Sequence, residues 1–322
     1  PAPQIVETVY GLYPGQNYFS DEYNAQDYCD WVDQSNGDPL PASLAVYIRD
    51  PDQPPDARNA RRVNAESGIA RAIHQELRLQ GALFDSDRPV QQLICTGNIA
   101  AGWTDDQLYD LVSVVRDSFT LGEDVAGWCA CLGSTQVPEA RLRLLQVLGF
   151  VNIRFAVPCD DASDAARRHR LLGDIEDIAN RARELGMRQI MIDLSFSETA
   201  APLSPGKLQA FVNGVRPELI RLVEERPQAF AGKRALQRDA YAELLVTLGY
   251  ENIGLDWFVR PGDLWCRPRP VRRLHWSLLG FTDMASLDVI GVGPGALSTL
   301  GDFYGQHEHR PSSYDRLVKG GL

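Results

Sequence analysis

Side chains able to do chemistry stand in or beside short apolar runs of this sequence. Cys129 and Cys131 lie in the run GWCACLG, Asp193 lies near the end of RQIMIDL, and Asp256 lies in GLDWF. Residues two apart on a strand point the same way, so both thiols can face one cavity, or they can be small buried hydrophobes. Carboxylates and thiols tuned by burial can do acid–base or thiol chemistry. For Asp193 the alternative is a structural pair with a neighbouring arginine.

The histidines offer a second type of site. His275, His307 and His309, taken with Asp256 or Asp302, have the residue types of a two-histidine, one-carboxylate metal site. Such a site requires these side chains to converge in space, which the sequence does not fix. The alternative is that His307 and His309 are ordinary polar surface. We therefore treat the three histidines as candidates only and expect no metal.

The elements that must position these residues alternate regularly between strand and helix. Strand-like runs occur at 44–48, 91–95, 125–131, 151–157, 188–194 and 219–224. Helix-like stretches separate them at 63–81, 104–117, 136–148, 163–185, 204–213 and 234–248. This pattern predicts an α/β fold, an open, partial TIM-like barrel of parallel strands over residues 43–250. Its chemistry is expected at the carboxyl ends of the strands.

Two further regions flank this core. Residues 1–42 are rich in aromatic and acidic side chains, and we expect them to form a leader that packs across one barrel mouth. Residues 251–322 contain short strand and turn signals followed by a polar tail, so we expect them to extend the sheet.

Composition excludes several classes of partner. The formal net charge of the 322 residues is −11, which argues against a nucleic-acid binder, because such proteins need a basic face. No apolar run reaches the roughly 18 residues that a membrane span requires. No export signal is recognised at the start, so we expect a cytoplasmic protein whose scattered cysteines are reduced.

The order of several blocks resembles one enzyme family. GFVNIRFAV, RARELGMRQIMIDL, LVTLGYENIGLDWFVRPGD and VIGVGPGALSTLGDFYGQ follow one another along the chain. In this order they resemble the oxygen-independent coproporphyrinogen III oxidases, which are radical S-adenosylmethionine (SAM) enzymes. The resemblance runs from about Tyr18 to the C-terminus and implies a radical-SAM-type barrel. The family's C-terminal helical domain is expected to be missing, since the sequence ends near where it would begin.

The resemblance also implies a departure at the metal cluster. The three cysteines of the family's CxxxCxxC motif fall at Pro51, Pro55 and Arg58, and a fourth nearby cysteine falls at Ala60. Proline and alanine offer no side-chain donor, and a guanidinium stays protonated, so none of these residues can ligate iron. We therefore expect no 4Fe–4S cluster.

Contacts to SAM are changed as well. The family's glycine-rich turn reads TGNIA here and keeps Gly97, while its strand-three glutamate falls at Cys131 and its strand-four glutamine at Pro158. Asp193 and Arg170 match the family's remaining cofactor contacts. With most contacts replaced, residual SAM binding is not expected.

Two functions remain open at this stage. The first is a cluster-free, ligand-binding or accessory homologue that takes a tetrapyrrole or another carboxylated small molecule, possibly beside an active paralogue. By resemblance its ligand would meet Trp257, Arg260, Asp302, Tyr304 and Gln306, with further help from Arg272, Arg273, Phe258 and Trp276. The second is a repurposed barrel enzyme that uses acid–base, thiol or metal chemistry, with Asp193, Asp256 and Cys131 as its candidate catalytic residues.

Overall fold

A single large sheet, parallel through its centre, organises the chain in the computed structural model. The structure describes residues 24–50, 61–97, 99–122, 127–132, 137–158, 165–196, 203–224, 232–262, 274–282 and 286–321. The predicted cluster positions between 51 and 60, and also Arg272 and Arg273, lie outside these described residues.

The strands are short and follow one another at intervals set by the helices. They are β1 (Ser43–Asp50), β2 (Val90–Gly97), β3 (Gly127–Leu132), β4 (Asn152–Pro158), β5 (Gln189–Phe196), β6 (Leu219–Glu224), β7 (Glu251–Gly254), β8 (Trp257–Val259), β9 (His275–Ser277), β10 (Gly280–Thr282), β11 (Leu287–Val292), β12 (Leu297–Leu300) and β13 (Phe303–Gln306). The helices are α1 (Ala25–Asn36), α2 (Arg61–Gly81), α3 (Ile99–Gly102), α4 (Asp105–Ser118), α5 (Glu139–Leu148), α6 (Ala165–Glu184), α7 (Pro205–Val215), α8 (Gly232–Thr247) and α9 (Pro311–Lys319).

The sheet has eleven strands in the order β13-β12-β11-β1-β2-β3-β4-β5-β6-β8-β7. Strands β1 to β6 are parallel neighbours, and β11 returns to pair in parallel with β1. Among the described strands, β13 and β7 are edges, so the sheet is open. The predicted α/β class and open parallel barrel are confirmed.

Each central strand buries one side chain set against the helices and the alternate set on the opposite face. Val46, Ile48 and Phe155 belong to the helix-side core, whereas Ala45 and Tyr47 belong to a second, smaller apolar cluster. We call this second side of the sheet the inner face. Burial on both faces explains why these strands read as continuous apolar runs rather than as an alternating pattern.

Local signals place the helices. Thr104 caps α4 in a capping box with Gln107, since the Thr104 side chain accepts from the Gln107 backbone and the Gln107 side chain accepts from the Thr104 backbone. Helix α5 ends at Gly149, whose φ of 109° lies in the left-handed region that glycine favours. Both signals are local, so the start of α4 and the end of α5 depend on neighbouring residues rather than on tertiary contacts.

A small hairpin formed by β9 and β10 covers part of the inner face. Trp276 and Phe281 of the hairpin pack edge-on against Trp257 of β8. Gln92, near the start of β2, donates to the Thr282 hydroxyl over 3.3 Å. The hairpin therefore lies towards the amino-terminal ends of the strands, and the polar groups described below lie nearer their carboxyl ends.

Helix α1 packs against the β11–β13 edge of the sheet. Its Tyr28 and Trp31 rings contact Phe303, and Ser35 donates to Asp288 over 2.8 Å. Asp288 is buried and also pairs with the fully buried Arg88. Residues 1–23 of the predicted leader lie outside the described residues. No helix among the described residues is long and apolar enough to cross a membrane.

Candidate functional site

The inner face carries a row of polar side chains where a core would normally be apolar. Strand register sets the row: Cys131 lies opposite Arg154, Asp193 opposite Arg221, and Arg221 opposite Trp257. Because side chains alternate along a strand, each of these residues points away from the helices. We call the set Cys129, Cys131, Arg154, Asp193 and Arg221 the inner-face cluster.

An ion pair lies at the centre of this cluster. Arg221 donates through Nε to Oδ1 of Asp193 over 3.0 Å and through Nη2 to Oδ2 over 2.7 Å. The Asp193 side chain is 11% exposed and that of Arg221 is 22% exposed. Both carboxylate oxygens of Asp193 are thus held in the planar, two-bonded arrangement that guanidinium groups favour.

A second guanidinium, that of Arg154, shares the same carboxylate. Its Nε lies 4.0 Å from Asp193 Oδ1, and its Nη2 lies 3.7 Å from the sulfur of Met191. Among the described residues, this buried Nε has no hydrogen-bond partner. The cluster therefore holds two guanidinium groups and one carboxylate, with an excess of positive charge.

Trp257 supports both cations from one side. The guanidinium carbons of Arg154 and Arg221 lie 5.7 and 5.6 Å from the centre of its ring. At these distances the negative face of the indole attracts a cation, more strongly where water is excluded. Trp257 is buried, so its role is to hold the arginines rather than to offer an open stacking surface.

Electrostatics keep Arg154 charged despite its burial. Burial by itself would lower the pKa of Arg154, but the charge of Asp193 and those of the neighbouring cysteines outweigh it and raise the pKa above its ordinary value. The cluster therefore presents a permanent cation whose hydrogen-bonding capacity is only partly used.

The two thiols lie on the same face of β3 and influence each other's ionisation. A hydrogen bond from Cys131 to Cys129 lowers the pKa of the Cys129 thiol, against the effect of burial, and Arg154 lowers it further. The same hydrogen bond raises the pKa of Cys131. Cys95, on the helix face of β2, differs: burial raises the pKa of its thiol. Of these three thiols on β2 and β3, Cys129 is the best placed to ionise.

The contact between β2 and β1 explains why residue 97 is a glycine. Gly97 ends β2 at a φ of 74°, and a Cβ there would lie 1.5 Å from the carbonyl oxygen of Asp50. Asp50 is itself buried and accepts from the indole nitrogen of Trp103 over 2.8 Å. Glycine is thus required because the backbone of β1 lies so close to this residue. The resemblance had instead implied that SAM approaches the chain here.

Several predicted site residues lie apart from the inner-face cluster. Arg260 pairs with Glu218 over 3.2 Å at the start of β6, the amino-terminal edge of the sheet. Asp302 is exposed in the turn between β12 and β13, next to Gly301, whose backbone donates to Asp288 near the start of β11. Both strands that lead to these residues run antiparallel to the core, which carries them to the edge opposite the expected mouth.

The remaining predicted residues are spread more widely. Arg170 is exposed on α6, and Asp256 lies in the turn between β7 and β8 with a φ of 61°. Tyr304 is 36% exposed on β13, and Gln306 donates to the Gly295 carbonyl over 3.5 Å.

Phe258 lies next to Trp257 on β8 and therefore points to the opposite face of the sheet, into the helix-side core. The expectation that Phe258 stacks on a ligand beside Trp257 was wrong.

The three candidate histidines do not lie together in one site. His307 Nδ1 lies 3.0 Å from Oε1 of Glu76, His309 lies against Gly295, and His275 belongs to the separate β9–β10 hairpin. Tyr314 of α9 donates to the same Glu76 carboxylate. In the part of the chain that the structure describes, no group of three or more histidine, cysteine, aspartate or glutamate side chains could hold a metal ion.

Arg154 and Arg221 are the candidate site residues that sequence reasoning missed. Each stands in the middle of an apolar strand, in NIRFAV and LIRLVE. A buried charge is retained only where a partner compensates it, so these two arginines were themselves a signal of a polar site.

The fold is that of a known enzyme structure. The structure is similar to that of coproporphyrinogen III oxidase (HemN) from Escherichia coli, a radical SAM enzyme, with a TM-score of 0.80 at 20% sequence identity. The similarity covers 97% of this chain and 77% of that one. The chain therefore has the open α/β barrel fold of that enzyme.

Sequence comparison gives the particular relatives. The chain is 27% identical over 271 residues to the oxygen-independent coproporphyrinogen III oxidases of Salmonella typhimurium and Escherichia coli, and 25% identical over 272 residues to that of Pseudomonas aeruginosa. These matches cover 77–79% of this chain but only 58–59% of the relatives. No protein-family model matches the chain. The predicted relationship to the oxygen-independent coproporphyrinogen III oxidases is confirmed.

Proposed function

We propose that this protein is a cluster-free homologue of these oxidases that binds a carboxylated small molecule, with a tetrapyrrole as the candidate, and performs no radical SAM chemistry. One observation carries the proposal. On the inner face, Arg154 and Arg221 share the carboxylate of Asp193, and the Nε of Arg154 has no hydrogen-bond partner among the described residues. A ligand carboxylate would supply the missing charge and the missing acceptor.

The residues present do not fit the cofactors of the resembling enzymes. Pro51, Pro55 and Arg58 supply no thiolate at the positions where the cluster motif aligns. Asp193, which the resemblance assigns to SAM, already accepts two hydrogen bonds from Arg221. These two bonds occupy about half of the acceptor sites of the carboxylate and neutralise its charge, which weakens its attraction for a cofactor ammonium group. We therefore derive no reaction step through a cluster or through SAM.

Burial makes Arg154 an effective anchor. A guanidinium binds carboxylates strongly because its parallel donors match the two oxygens. The side chain of Arg154 is only 14% exposed, so water competes weakly for it. Trp257 and Asp193 hold the group in place before a ligand arrives, which reduces the entropy lost on binding.

Titration with coproporphyrin III tests this proposal. The porphyrin absorbance band and tryptophan fluorescence report binding, and we expect saturable binding at micromolar concentration. Arg154→Met should weaken it about tenfold or more, as expected for a charge-assisted pair of roughly 1.5–3 kcal/mol. Arg143→Met is the matched control, because Arg143 is 62% exposed on α5 and pairs with Glu139 in the same helix, away from the inner face. Equal affinity in all three proteins, or no spectral change, would refute the proposal.

A repurposed barrel enzyme is the second candidate function, and the lowered pKa of the Cys129 thiol is the observation that favours it. An ionisable thiol beside Arg154 and Asp193 can serve as a nucleophile or a base. Mass spectrometry of a bound ligand recovered after long incubation separates the two functions. An unchanged ligand indicates a binding protein, and a converted ligand whose conversion requires Cys129 indicates an enzyme.

A further inference from the structure

The thiol pair of β3 is not needed for carboxylate binding, and its geometry fits a different ligand. Cys129 lies between Ile94 of β2 and Asn152 of β4, and Cys131 lies opposite Arg154. Strand β3 is therefore hydrogen-bonded on both sides. Both side chains point to the inner face, where Cys129 is buried in the apolar cluster and the half-buried Cys131 packs against it. The result is a pair of neighbouring thiols on a rigid support.

This strand geometry opposes a disulfide. Side chains two residues apart on a strand are nearly parallel, so their Cβ atoms lie about 6.6 Å apart, twice the rise per residue. A disulfide requires a Cβ–Cβ separation of roughly 3.5–4.5 Å. Closing it would pull Ala130 out of its pairing with Cys95 and Ile153. Two metal–sulfur bonds of about 2.3 Å each, by contrast, span a wider separation of the sulfur atoms without moving the backbone.

The positive charge beside the two thiols favours a monovalent metal ion. Two thiolates and a monovalent cation form a complex of net charge −1, and Arg154 supplies an adjacent buried positive charge. A divalent ion would give a neutral complex that gains less from Arg154. Thiolates prefer soft ions such as copper(I), whereas zinc takes four ligands in structural sites and the pair supplies only two.

We propose that Cys129 and Cys131 bind one soft monovalent metal ion, of the copper(I) class, as a bis-thiolate on the inner face. Each thiol loses its proton to solvent, two sulfur–metal bonds form, and the oxidation state of the metal does not change. Arg154 stabilises the resulting anion across the β3–β4 pair. This site does not depend on the proposed tetrapyrrole or on any cofactor of the related enzymes.

Anaerobic titration with copper(I), in competition with the chromophoric chelator bicinchoninate, tests the site. Cys29 is half-buried, and Cys159 and Cys266 lie outside the described residues, so all proteins carry Cys29→Ala, Cys159→Ala and Cys266→Ala. We expect one tightly bound equivalent in this background. Adding Cys95→Ala should leave that equivalent in place, because Cys95 is a buried thiol on the neighbouring strand but on the helix face. Adding Cys129→Ser and Cys131→Ser should remove it.

Arg154→Met should weaken copper(I) binding about tenfold, the effect of losing a supporting residue beside a metal ligand. X-ray absorption of the metal-loaded background protein, in which Cys129 and Cys131 are unchanged, needs no further substitution. We expect two sulfur neighbours around the metal ion. Retention of the tight equivalent by the Cys129→Ser, Cys131→Ser protein would overturn the proposal. So would nitrogen or oxygen neighbours, more than two sulfur neighbours, or tighter binding of zinc than of copper(I).

Discussion

Asp193 and Arg221 form a two-bonded ion pair across β5 and β6, with donor–acceptor distances of 3.0 and 2.7 Å. The pair lies on the inner face of a barrel whose relatives are coproporphyrinogen III oxidases. Within the cluster, Arg221 binds both oxygens of the Asp193 carboxylate. The Nε of Arg154 is left without a hydrogen-bond partner among the described residues. This arrangement is the basis for proposing a ligand-binding role.

Breaking this pair should destabilise the protein. Arg221→Met leaves Asp193 buried, with Arg154 at 4.0 Å as its remaining cation among the described residues. Removing one partner of a buried pair typically costs about 3–5 kcal/mol, and we expect about 3 kcal/mol here because both side chains are partly exposed. Urea unfolding measures the change. The double variant Asp193→Asn, Arg221→Met should recover part of the loss, and strictly additive effects would show that the two side chains are not coupled.

Gly97 should tolerate no side chain. Gly97→Ala would place a Cβ 1.5 Å from the Asp50 carbonyl at a φ of 74°, so we expect a loss of about 3 kcal/mol or more. Gly186→Ala is the matched control, since Gly186 has a φ of 85° but open space around its Cβ position. Its expected cost is about 1–2 kcal/mol, that of the left-handed conformation alone. Similar thermal stabilities for the two variants would contradict this account of Gly97.

Stability should fall as pH rises through the pKa of His307. Burial lowers the pKa of His307, but the charge of Glu76 and the hydrogen bond to it have the larger combined effect, so the folded-state pKa is raised. A raised pKa means that the stabilisation is complete below the unfolded value of about 6.5 and is lost as pH passes the folded value.

Urea midpoints measured from slightly acidic to mildly alkaline pH check this expectation. His307→Gln should flatten the decline above neutral pH, whereas His169→Gln, at an exposed position of α6, should leave it unchanged. A decline of the same size in the His307→Gln protein would assign the pH dependence to another group.

Much of the fold followed from local patterns. The six core strands and their helices were predicted within a few residues, because apolar runs, caps such as Thr104 and stops such as Gly149 are local signals. The shared face of Cys129 and Cys131 followed from the two-residue period of a strand. The relationship to the oxidases followed from the order of the sequence blocks.

The partners of these residues could not be predicted in the same way. The contact of Arg221 with Asp193 depends on the register between β5 and β6, which no single strand encodes. Arg260 and Asp302 were expected beside Trp257, but the strands that lead to them run antiparallel to the core and place them at the amino-terminal edge. Strand direction at a sheet edge is a tertiary property, so a local pattern does not fix it.

Anaerobic reconstitution with iron and sulfide, followed by incubation with SAM and dithionite, tests whether this barrel is kept without radical SAM chemistry. We predict far less iron than a 4Fe–4S cluster requires, no visible band that bleaches on reduction, and no 5′-deoxyadenosine above a protein-free control. One cluster per chain together with 5′-deoxyadenosine formation would contradict the account.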